Sequence, residues 1–386
     1  MRSNYKPIED LVIRVDERNT DGSVDTLVGV SIDKCFIKSV ANTVGTDLTK
    51  YKIIRKKDFA VSLMQVSRDQ KIPVAMQMEY DVAIMSPAYP IFRVKDESVI
   101  LPEYLEMWFK RPEFDREASF IAVGGVRGSM PWEEFSRMKL PVPAIEEQKE
   151  IVKNYKAISE RIELKKKIND NLEAQSQAIL TKTVCDNETI SVSLGDIVDF
   201  IDGDRGKNYP TFDEFSDTGY CLFLNASNVT STGFSFDTCQ FVTKEKDEAL
   251  RKGHLSRGDI VLTSRGTLGN VAYYNNYIPF NNVRINSGML IIRPKTDRYT
   301  PVLLFTLLKS GYMKAAIESL KSGSAQPQLP IKDLQKAQFE IPIDDSNLQQ
   351  LSIKLSYIDD CYSENCLEIN ALKNVSTLLL SELSSS

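Results

Sequence analysis

The sequence predicts an α+β fold in which two pseudo-repeated α/β domains are joined by two long coiled-coil-like helices. The chain has 386 residues, which is enough for two domains of roughly 100 to 200 residues each. Matching residues recur in the same order at a spacing near 200. Each copy also ends in a long segment whose apolar residues return every seven positions, as in a coiled coil.

The repeat extends over more than a hundred residues. Its identical pairs are Asp58 and Asp259, Ser86 and Ser287, Arg93 and Arg293, Lys95 and Lys295, Pro102 and Pro301, Leu105 and Leu304, Lys110 and Lys309, Pro131 and Pro330, and Pro143 and Pro342. The shift falls from 201 to 199 along the chain, as short loop insertions would cause. The glycine-rich stretches 124–129 and 322–326 also correspond. Solenoid repeats are much shorter, so the repeated unit is a whole domain.

Short β-rich runs broken by turn residues are found in each copy, as in Thr26–Ile32 and Asp259–Thr263, and a helical pattern follows each set of runs. The α+β units are expected to connect rigidly to the helices through proline-containing segments. We expect the first domain at residues 1–144, a central helix at 145–184, the second domain at 185–343 and a C-terminal helix at 344–386.

The two helices share one seven-residue grid. After Pro342 the chain has no proline or glycine, and Ser346 with Gln349 forms a capping box. Such a long apolar stripe would aggregate if exposed, so the helices should pack together and leave surface for a partner's helices. The residues predicted to form the helix-pair and partner interface are Ile151, Tyr155, Ile158, Ile162 and Leu172 in the first helix and Leu351, Leu355, Ile358, Ile369 and Leu372 in the second.

Polar residues interrupt the grid in the middle of both helices, at Lys165, Asn169 and Asn365. A buried polar residue in such a seam fixes the register of the helices at some cost in stability. Partial exposure to solvent at these positions is the alternative, and the sequence does not distinguish the two.

The sequence lacks the motifs of a self-sufficient enzyme. The P-loop spacing is absent, and the nearest string, Gly203–Asn208, lacks the hydroxyl that holds magnesium. The single histidine, His254, leaves no histidine-centred triad or His-Cys zinc site without unusual partners, and we expect it to be a bystander. No glycine-rich loop for a methyl-donor cofactor is found. We therefore expect no catalytic residue, metal or cofactor in this chain.

No apolar run approaches the roughly 20 residues needed to cross a bilayer. Residues 1–10 also lack the pattern of a signal peptide. A cytoplasmic location is expected.

Two related domains with different loops suit recognition of a two-part ligand, and duplex DNA is the obvious candidate. Arginine pairs with guanine edges, asparagine pairs with adenine, and lysine more often holds phosphate. The candidate DNA-binding residues are Lys34, Lys38, Arg55, Lys56, Arg68 and Lys71 in the first copy and Arg205, Lys207, Asn208, Asn225, Asn228, Arg265 and Asn270 in the second. For any one of them, a solvated surface position is the favoured alternative.

Three segments resemble the specificity subunits of type I restriction-modification systems: Leu140–Gln148 before the first helix, the turn Asp202–Pro210, and the loop Ser264–Val271. The resemblance covers nearly the whole chain, with two target recognition domains that are each followed by a long helix. The second helix departs from it, because Asp344–Asn347 replaces the family's Glu-Glu-Gln. This departure leaves the partner contact of the second helix open.

The resemblance implies that each recognition domain reads one half of a bipartite double-stranded DNA target. The two helices would run antiparallel and fix the spacer between the halves. Two modification (methyltransferase) subunits, which carry S-adenosylmethionine, would dock on the helices and methylate adenine, and restriction/translocase subunits would join them.

Two other functions remain open from the residues alone. A coiled-coil protein-protein adaptor would bind no DNA, and a self-sufficient nuclease or methyltransferase would be active without partners. The formal net charge of −5 is relevant here, because residues 344–386 carry 2 basic and 7 acidic side chains and account for all of it. The near-neutral domains are expected to face DNA and the acidic last helix to face a protein.

Overall fold

The computed structural model describes residues 4–39, 46–64, 66–123, 128–320 and 328–384. Residues 124–127 and 322–326 of the glycine-rich stretches lie outside the described residues. Clustering of contacts divides the chain into two compact units. Unit 1 comprises Met1–Leu164 and Asn370–Ser386, and unit 2 comprises Lys165–Ile369.

The first copy is built from short strands and helices. In chain order they are β1 (Tyr5–Pro7), α1 (Ile8–Leu11), β2 (Val12–Val15), β3 (Val28–Val30), β4 (Phe36–Lys38), β5 (Lys52–Arg55), β6 (Phe59–Val61), α2 (Val66–Asp69), β7 (Val74–Met76), β8 (Val82–Met85), β9 (Ile91–Val94), α3 (Pro102–Phe109), α4 (Pro112–Ala122), α5 (Trp132–Arg137) and β10 (Lys139–Pro141). The long helix α6 (Ile145–Asp186) follows.

The second copy has the same kinds of element. They are β11 (Thr189–Ser193), α7 (Leu194–Ile197), β12 (Val198–Asp202), β13 (Cys221–Leu224), β14 (Val229–Thr230), β15 (Gly233–Phe234), β16 (Phe241–Val242), α8 (Lys244–Ala249), β17 (Ile260–Thr263), β18 (Val271–Tyr273), β19 (Val283–Ile285), β20 (Met289–Pro294), α9 (Pro301–Leu308), α10 (Gly311–Leu320), α11 (Ile331–Leu334) and β21 (Gln338–Pro342). The long helix α12 (Asp345–Glu382) follows.

Both copies contain an antiparallel four-stranded sheet with the same topology. Its strand order is β2-β9-β6-β7 in the first copy and β12-β20-β17-β18 in the second. A ribbon of the first and last strands accompanies each sheet, formed by β1 with β10 and by β11 with β21. The shared topology confirms the predicted pseudo-repeat.

Residues that are identical in the two copies make the same contacts. Arg93 forms an ion pair with the buried Asp58, and its Nε lies 2.9 Å from Oδ1. Arg293 pairs with the buried Asp259 in the same way at 2.7 Å. Each of these aspartates also accepts a backbone N–H from three residues before it. A buried carboxylate needs such partners, so this fold requires the pair in both copies.

Each long helix contributes to an apolar core. In unit 1, Leu380 and Leu383 near the end of α12 lie in the same core as Phe92, and Ile151 and Tyr155 of α6 pack against it. In unit 2, the corresponding core contains Leu180 of α6 together with residues from the first turns of α12, which are Leu348, Leu351 and Leu355. Fully burying a leucine side chain contributes about 1.5 to 3 kcal/mol, so both ends of each helix are firmly attached.

Among the described residues, no helix is long and apolar enough to cross a membrane.

Candidate DNA interface and helix pair

Three loops of the second copy converge on one turn, Asn286–Gly288, which we call the hub turn. The N–H of Asn286 donates to Leu224 O at 3.1 Å, next to Asn225. The N–H groups of Ser264 and Arg265 both donate to Gly288 O, at 2.8 and 3.1 Å. The hub turn therefore fixes the loops that follow β13 and β17.

The loop after β12 reaches the hub turn through Gly203. A Cβ atom at residue 203 would lie 2.1 Å from Asn286 O, much closer than real Cβ contacts. Arg205 follows, and its Nη2 donates to Ser287 O at 3.2 Å. Glycine is therefore required at residue 203 so that the two backbones can touch and Arg205 is brought to the hub turn.

Cationic side chains with unused donors surround the hub turn. The Arg265 side chain is half-buried, and its guanidinium has no hydrogen-bond or ion-pair partner among the described residues. Arg205 is 48% exposed. Its Nη2 donates to Ser287 O and lies 3.5 Å from Asp202 Oδ1, and its other two nitrogens are unused within the described residues. Lys207 is exposed, with no partner in the described part of the chain. An anionic or acceptor-rich ligand would satisfy these donors.

The four predicted asparagines of the second copy are partly used by the fold. Asn225 Oδ1 accepts from the N–H of Ser227, and Asn270 Nδ2 donates to Val229 O. Asn208 Nδ2 donates to Ala249 O at 2.9 Å. Asn228 is buried, and its Nδ2 donates to Ser235 O and Thr238 O. Asn228 is therefore a structural residue, and we do not extend the DNA-binding hypothesis to it.

The candidates of the first copy also divide into internal and exposed groups. Lys34 is buried, forms an ion pair with Asp115 at 2.8 Å and donates to Phe109 O. Burial lowers the pKa of Lys34, although Asp115 opposes the change. Because its ammonium is used inside the domain, Lys34 is also left out of the DNA-binding hypothesis.

The remaining candidates of the first copy are exposed. Arg55 pairs with Glu17 at 2.5 Å, Arg68 contacts Asp69 at 2.7 Å, and Lys71 lies 3.9 Å from Asp33. Lys38 and Lys56 have no partner among the residues described. Exposed ion pairs are weak, so the pairs that Arg55 and Lys71 form would not prevent a contact with phosphate.

Sequence reasoning missed Asn286, because no motif marks the turn between β19 and β20. Its Oδ1 accepts from the Gly288 N–H at 2.9 Å, which closes the hub turn. The repeat itself contained a usable signal, since the neighbouring Ser287 matches Ser86 at a shift of 201.

His254 lies near two other possible metal ligands, Cys221 and Asp247, and their ligand atoms lie within 4.8 Å of one another. However, the buried Arg284 already donates from its Nε to Asp247 Oδ1. Its other two nitrogens donate to three backbone carbonyls. Asp247 is thus the counter-ion of a buried arginine. The cluster is better explained as part of the domain core than as a metal site.

The helix pair in unit 2 is antiparallel, and a polar network interrupts its apolar seam. Asn347 Nδ2 donates to Asn187 Oδ1 at 2.7 Å, and Asn365 Nδ2 donates to Asn169 Oδ1 at 2.9 Å. Asn187 directly follows α6 and lies 18 residues after Asn169, whereas Asn347 lies 18 residues before Asn365 in α12, so the two segments run in opposite directions. Asn169 and Asn365 are 6% and 8% exposed, so the seam amides are buried, as the first of the two alternatives predicted.

Lys165 extends this polar network. Its Nζ donates to Asn365 Oδ1 at 2.7 Å and lies 2.8 Å from Glu368. Asn169 Nδ2 in turn contacts Cys366 Sγ at 3.5 Å. The chain of contacts satisfies the buried amides, which limits the cost of placing polar groups in the seam.

All positions of the seven-residue grid, which recur along the seam of α6 and α12, are buried or half-buried. This group includes the predicted interface residues Ile151, Tyr155, Ile158, Ile162, Leu172, Leu351, Leu355, Ile358, Ile369 and Leu372. The grid in α6 begins at Gln148, which is fully buried and serves as an anchor. Its amide donates to Val99 O and Pro143 O and accepts from the Leu101 N–H.

A second stripe on α12 is exposed. It consists of Ile353, Tyr357, Leu367, Val375 and Leu378, which are 44% to 70% exposed. At about 100° per residue they fall within about 80° of one another around the helix axis, so they lie on one face. The exposed carboxylates Asp360 and Glu364 lie on the same face, which is therefore mixed apolar and acidic.

Comparisons with known proteins agree with this architecture. The family model described as "Type I restriction modification DNA specificity domain" matches residues 42–174 and 187–373. No curated protein gives a significant match. The crystal structure of a type I restriction-modification S subunit from M. genitalium is similar over 98% of this chain and 95% of that one, with a TM-score of 0.56 and 16% identity. An HsdS subunit from Thermoanaerobacter tengcongensis is similar over 98% and 96%, with a TM-score of 0.35 and 16% identity.

Proposed function

Because the chain belongs to the family of type I restriction-modification DNA specificity subunits and is therefore a DNA sequence-recognition subunit, we propose that its two domains each read one half of a bipartite DNA target. The helix pair would set the spacer between the halves. The family is non-catalytic, so methylation and cleavage would belong to partner subunits. A protein-only adaptor is not favoured, since both copies match the DNA specificity domain.

The observation that carries this proposal is the set of unused donors around the hub turn. Arg205, Lys207 and Arg265 come from two different loops that the turn holds together. The backbones of both loops are held at the hub turn before any ligand arrives, which reduces the entropy cost of binding. The net charge of residues 185–343 is only −1, so DNA binding by the free chain should be weak and depend on phosphate contacts from its partners.

We further propose that two modification subunits dock on the helix pair and carry S-adenosylmethionine. The exposed stripe of α12 offers them apolar side chains with the carboxylates Asp360 and Glu364 on the same face. The acidic character of residues 344–386 repels phosphate and suits a basic protein surface. Restriction/translocase subunits would join this assembly. A complex of this kind acts in the cytoplasm.

The domain boundaries proposed for this function are residues 1–144 and 185–343 for the recognition domains. Residues 145–184 and 344–386 would form the spacer helices. The boundaries of the compact units differ from these, because they fall inside both helices, after Leu164 in α6 and after Ile369 in α12. Each helix contributes side chains to the cores of both units.

A charge-removal experiment tests the DNA interface. The double variant R205A/K207A, in complex with its modification subunits, should bind its target about 10-fold or more weakly, because two phosphate or base contacts are lost. Equilibrium binding at two salt concentrations measures the loss and the change in salt dependence. The matched control is K332A/K336A, which removes two exposed lysines from the same domain. Equal binding by both double variants and the unaltered chain would contradict the assignment.

A further inference from the structure

The chemistry around the hub turn indicates which base the second domain reads. We propose that Arg265 recognises a guanine in the half-site bound by this domain, with the Asn286–Gly288 turn as its platform. This inference rests on the proposed DNA-reading function and adds a base identity to it.

The Arg265 guanidinium is available to a ligand. The residue is half-buried, and among the described residues the guanidinium has no acceptor. None of its nitrogens is among the buried side-chain atoms that lack a partner, so the guanidinium is open to solvent and can bind a ligand without breaking an internal hydrogen bond. The neighbouring arginine Arg205 is satisfied in part by Ser287 O. Within the described part of the chain, Arg265 therefore keeps its whole planar fork for an external acceptor, whereas Arg205 has already used one nitrogen.

The backbone of Arg265 is rigidly held. Its N–H donates to Gly288 O at 3.1 Å, and Arg265 also forms a β-bridge with Gln328. The preceding Ser264 donates to the same carbonyl through both its N–H and its hydroxyl, at 2.8 and 3.0 Å. A fixed backbone favours a planar, two-pronged contact over a loose charge contact. Guanine offers O6 and N7 to such a fork, and this is the commonest specific arginine contact in DNA complexes.

Asn225, which lies next to the hub turn, is not arranged to read adenine. Adenine recognition needs a free amide oxygen and a free amide nitrogen together. Asn225 Oδ1 already accepts from both the N–H and the hydroxyl of Ser227, and Asn286 Oδ1 accepts from the Gly288 N–H. What Asn225 still offers is its N–H donors. The region around Arg265 is thus rich in donors, which matches the acceptor-rich edge of guanine.

The repeat provides an internal comparison. At the shift of 201 that relates Asp58 to Asp259, the counterpart of Arg265 is Met64, whose side chain is 53% exposed. The local framework is the same, because Leu63 O accepts from Met130 N as Ser264 O accepts from Leu329 N. Methionine has no donor for guanine, so the first half-site should not use a guanine at the corresponding position.

The test uses the complete methyltransferase complex and the set of sequences that it methylates in cells. The unaltered complex should require guanine at one position of one half-site. R265A should relax that position by roughly 5- to 150-fold and leave the other half-site unchanged. R265K keeps the charge but loses the fork, so it should also relax the position. The matched control M64A should leave the guanine requirement intact.

A chemical probe separates base reading from phosphate binding. Replacing the required guanine by 7-deazaguanine removes the N7 acceptor, and it should weaken binding of the unaltered complex but not of R265A. Uniform weakening by R265A with full rescue by R265K would show a phosphate contact and overturn the inference. Unchanged specificity in R265A would also overturn it. Failure of the unaltered complex to methylate any bipartite sequence would instead overturn the proposed function.

Discussion

The few residues that are identical in both copies have the same structural role in each copy. Lys95 and Lys295 each send Nζ to a backbone carbonyl near the start of their own copy, Glu9 O and Gly195 O. Pro102 and Pro301 each occupy the first turn of a helix, where the missing N–H costs nothing. Surviving identities are thus positions where the backbone needs one particular side chain. The loops that face a ligand are free to differ.

Asp359 gives a prediction at the scale of one residue. Burial raises the pKa of Asp359 to about 6, an effect that Asp360 strengthens and that Asn275 and Lys309 oppose. Because the folded state binds this proton more tightly than the unfolded state, stability falls as pH rises from about 4 through 6. D359N stays neutral and still accepts from Asn275. It should raise stability at pH 8 by about 1 to 3 kcal/mol, and the gain should vanish at pH 4.

Thermal unfolding of the chain at both pH values measures this effect. D360N changes an exposed neighbour and serves as the control. Lower stability of D359N at pH 8 would mean that the carboxylate is needed as a counter-charge for Lys309, and the prediction would be wrong.

The sequence predicted residue types better than residue roles. In the sequence, Lys34 and Asn228 resemble the other loop cations and amides. In the structure, Lys34 donates to Phe109 O and Asn228 donates to Ser235 O, and such internal contacts are visible only in the folded chain. Their partners lie 75 and 7 residues away, and neither partner is marked by its side chain. Asn286 was missed because its role in the hub turn depends on backbone hydrogen bonds, which the sequence does not reveal.

At the scale of elements, the long helices were predictable because a seven-residue repeat identifies them without tertiary information. The grid gave the buried face of both α6 and α12, and the polar interruptions were found at the right positions. The partner of each polar residue was not predictable. The Asn169 amide could have met solvent, a second chain or Asn365, and only the antiparallel alignment of the helices selects Asn365.

The helix pair gives a prediction at this scale. Ile158 and Leu172 are half-buried on the seam face of α6, and two carboxylates there would have to be desolvated without partners. I158D/L172D should abolish assembly with the modification subunit or lower the melting temperature strongly. Size-exclusion chromatography and thermal melting measure the two effects. The control N154D/N171D places two aspartates on exposed positions of the same helix, with the same change in net charge. Normal assembly and melting of I158D/L172D would contradict the helix-pair assignment.

At the scale of the whole molecule, the proposed role of the helix pair predicts that the spacer between the two half-sites depends on the length of the helices. Leu164 and Asn370 are exposed positions on α6 and α12 at the boundary between the compact units, outside the unit 2 core that contains Leu180 and Leu355. They lie at the same level in the alignment that pairs Asn187 with Asn347 and Asn169 with Asn365. Inserting seven helix-forming residues after each of them adds two turns to both helices and restores the seam to nearly the same face.

Seven residues lengthen a helix by about 10 Å, which corresponds to roughly three base pairs of duplex DNA at about 3.4 Å each. The methylated sequences should then keep both half-sites and gain about three base pairs between them. Insertion after Leu164 alone breaks the pairing of α6 with α12, so that variant should lose assembly instead of changing the spacing. Methylated-sequence determination in cells carrying each variant measures the result. An unchanged spacer in the double insertion, with assembly intact, would show that the helix pair does not set the distance between the half-sites.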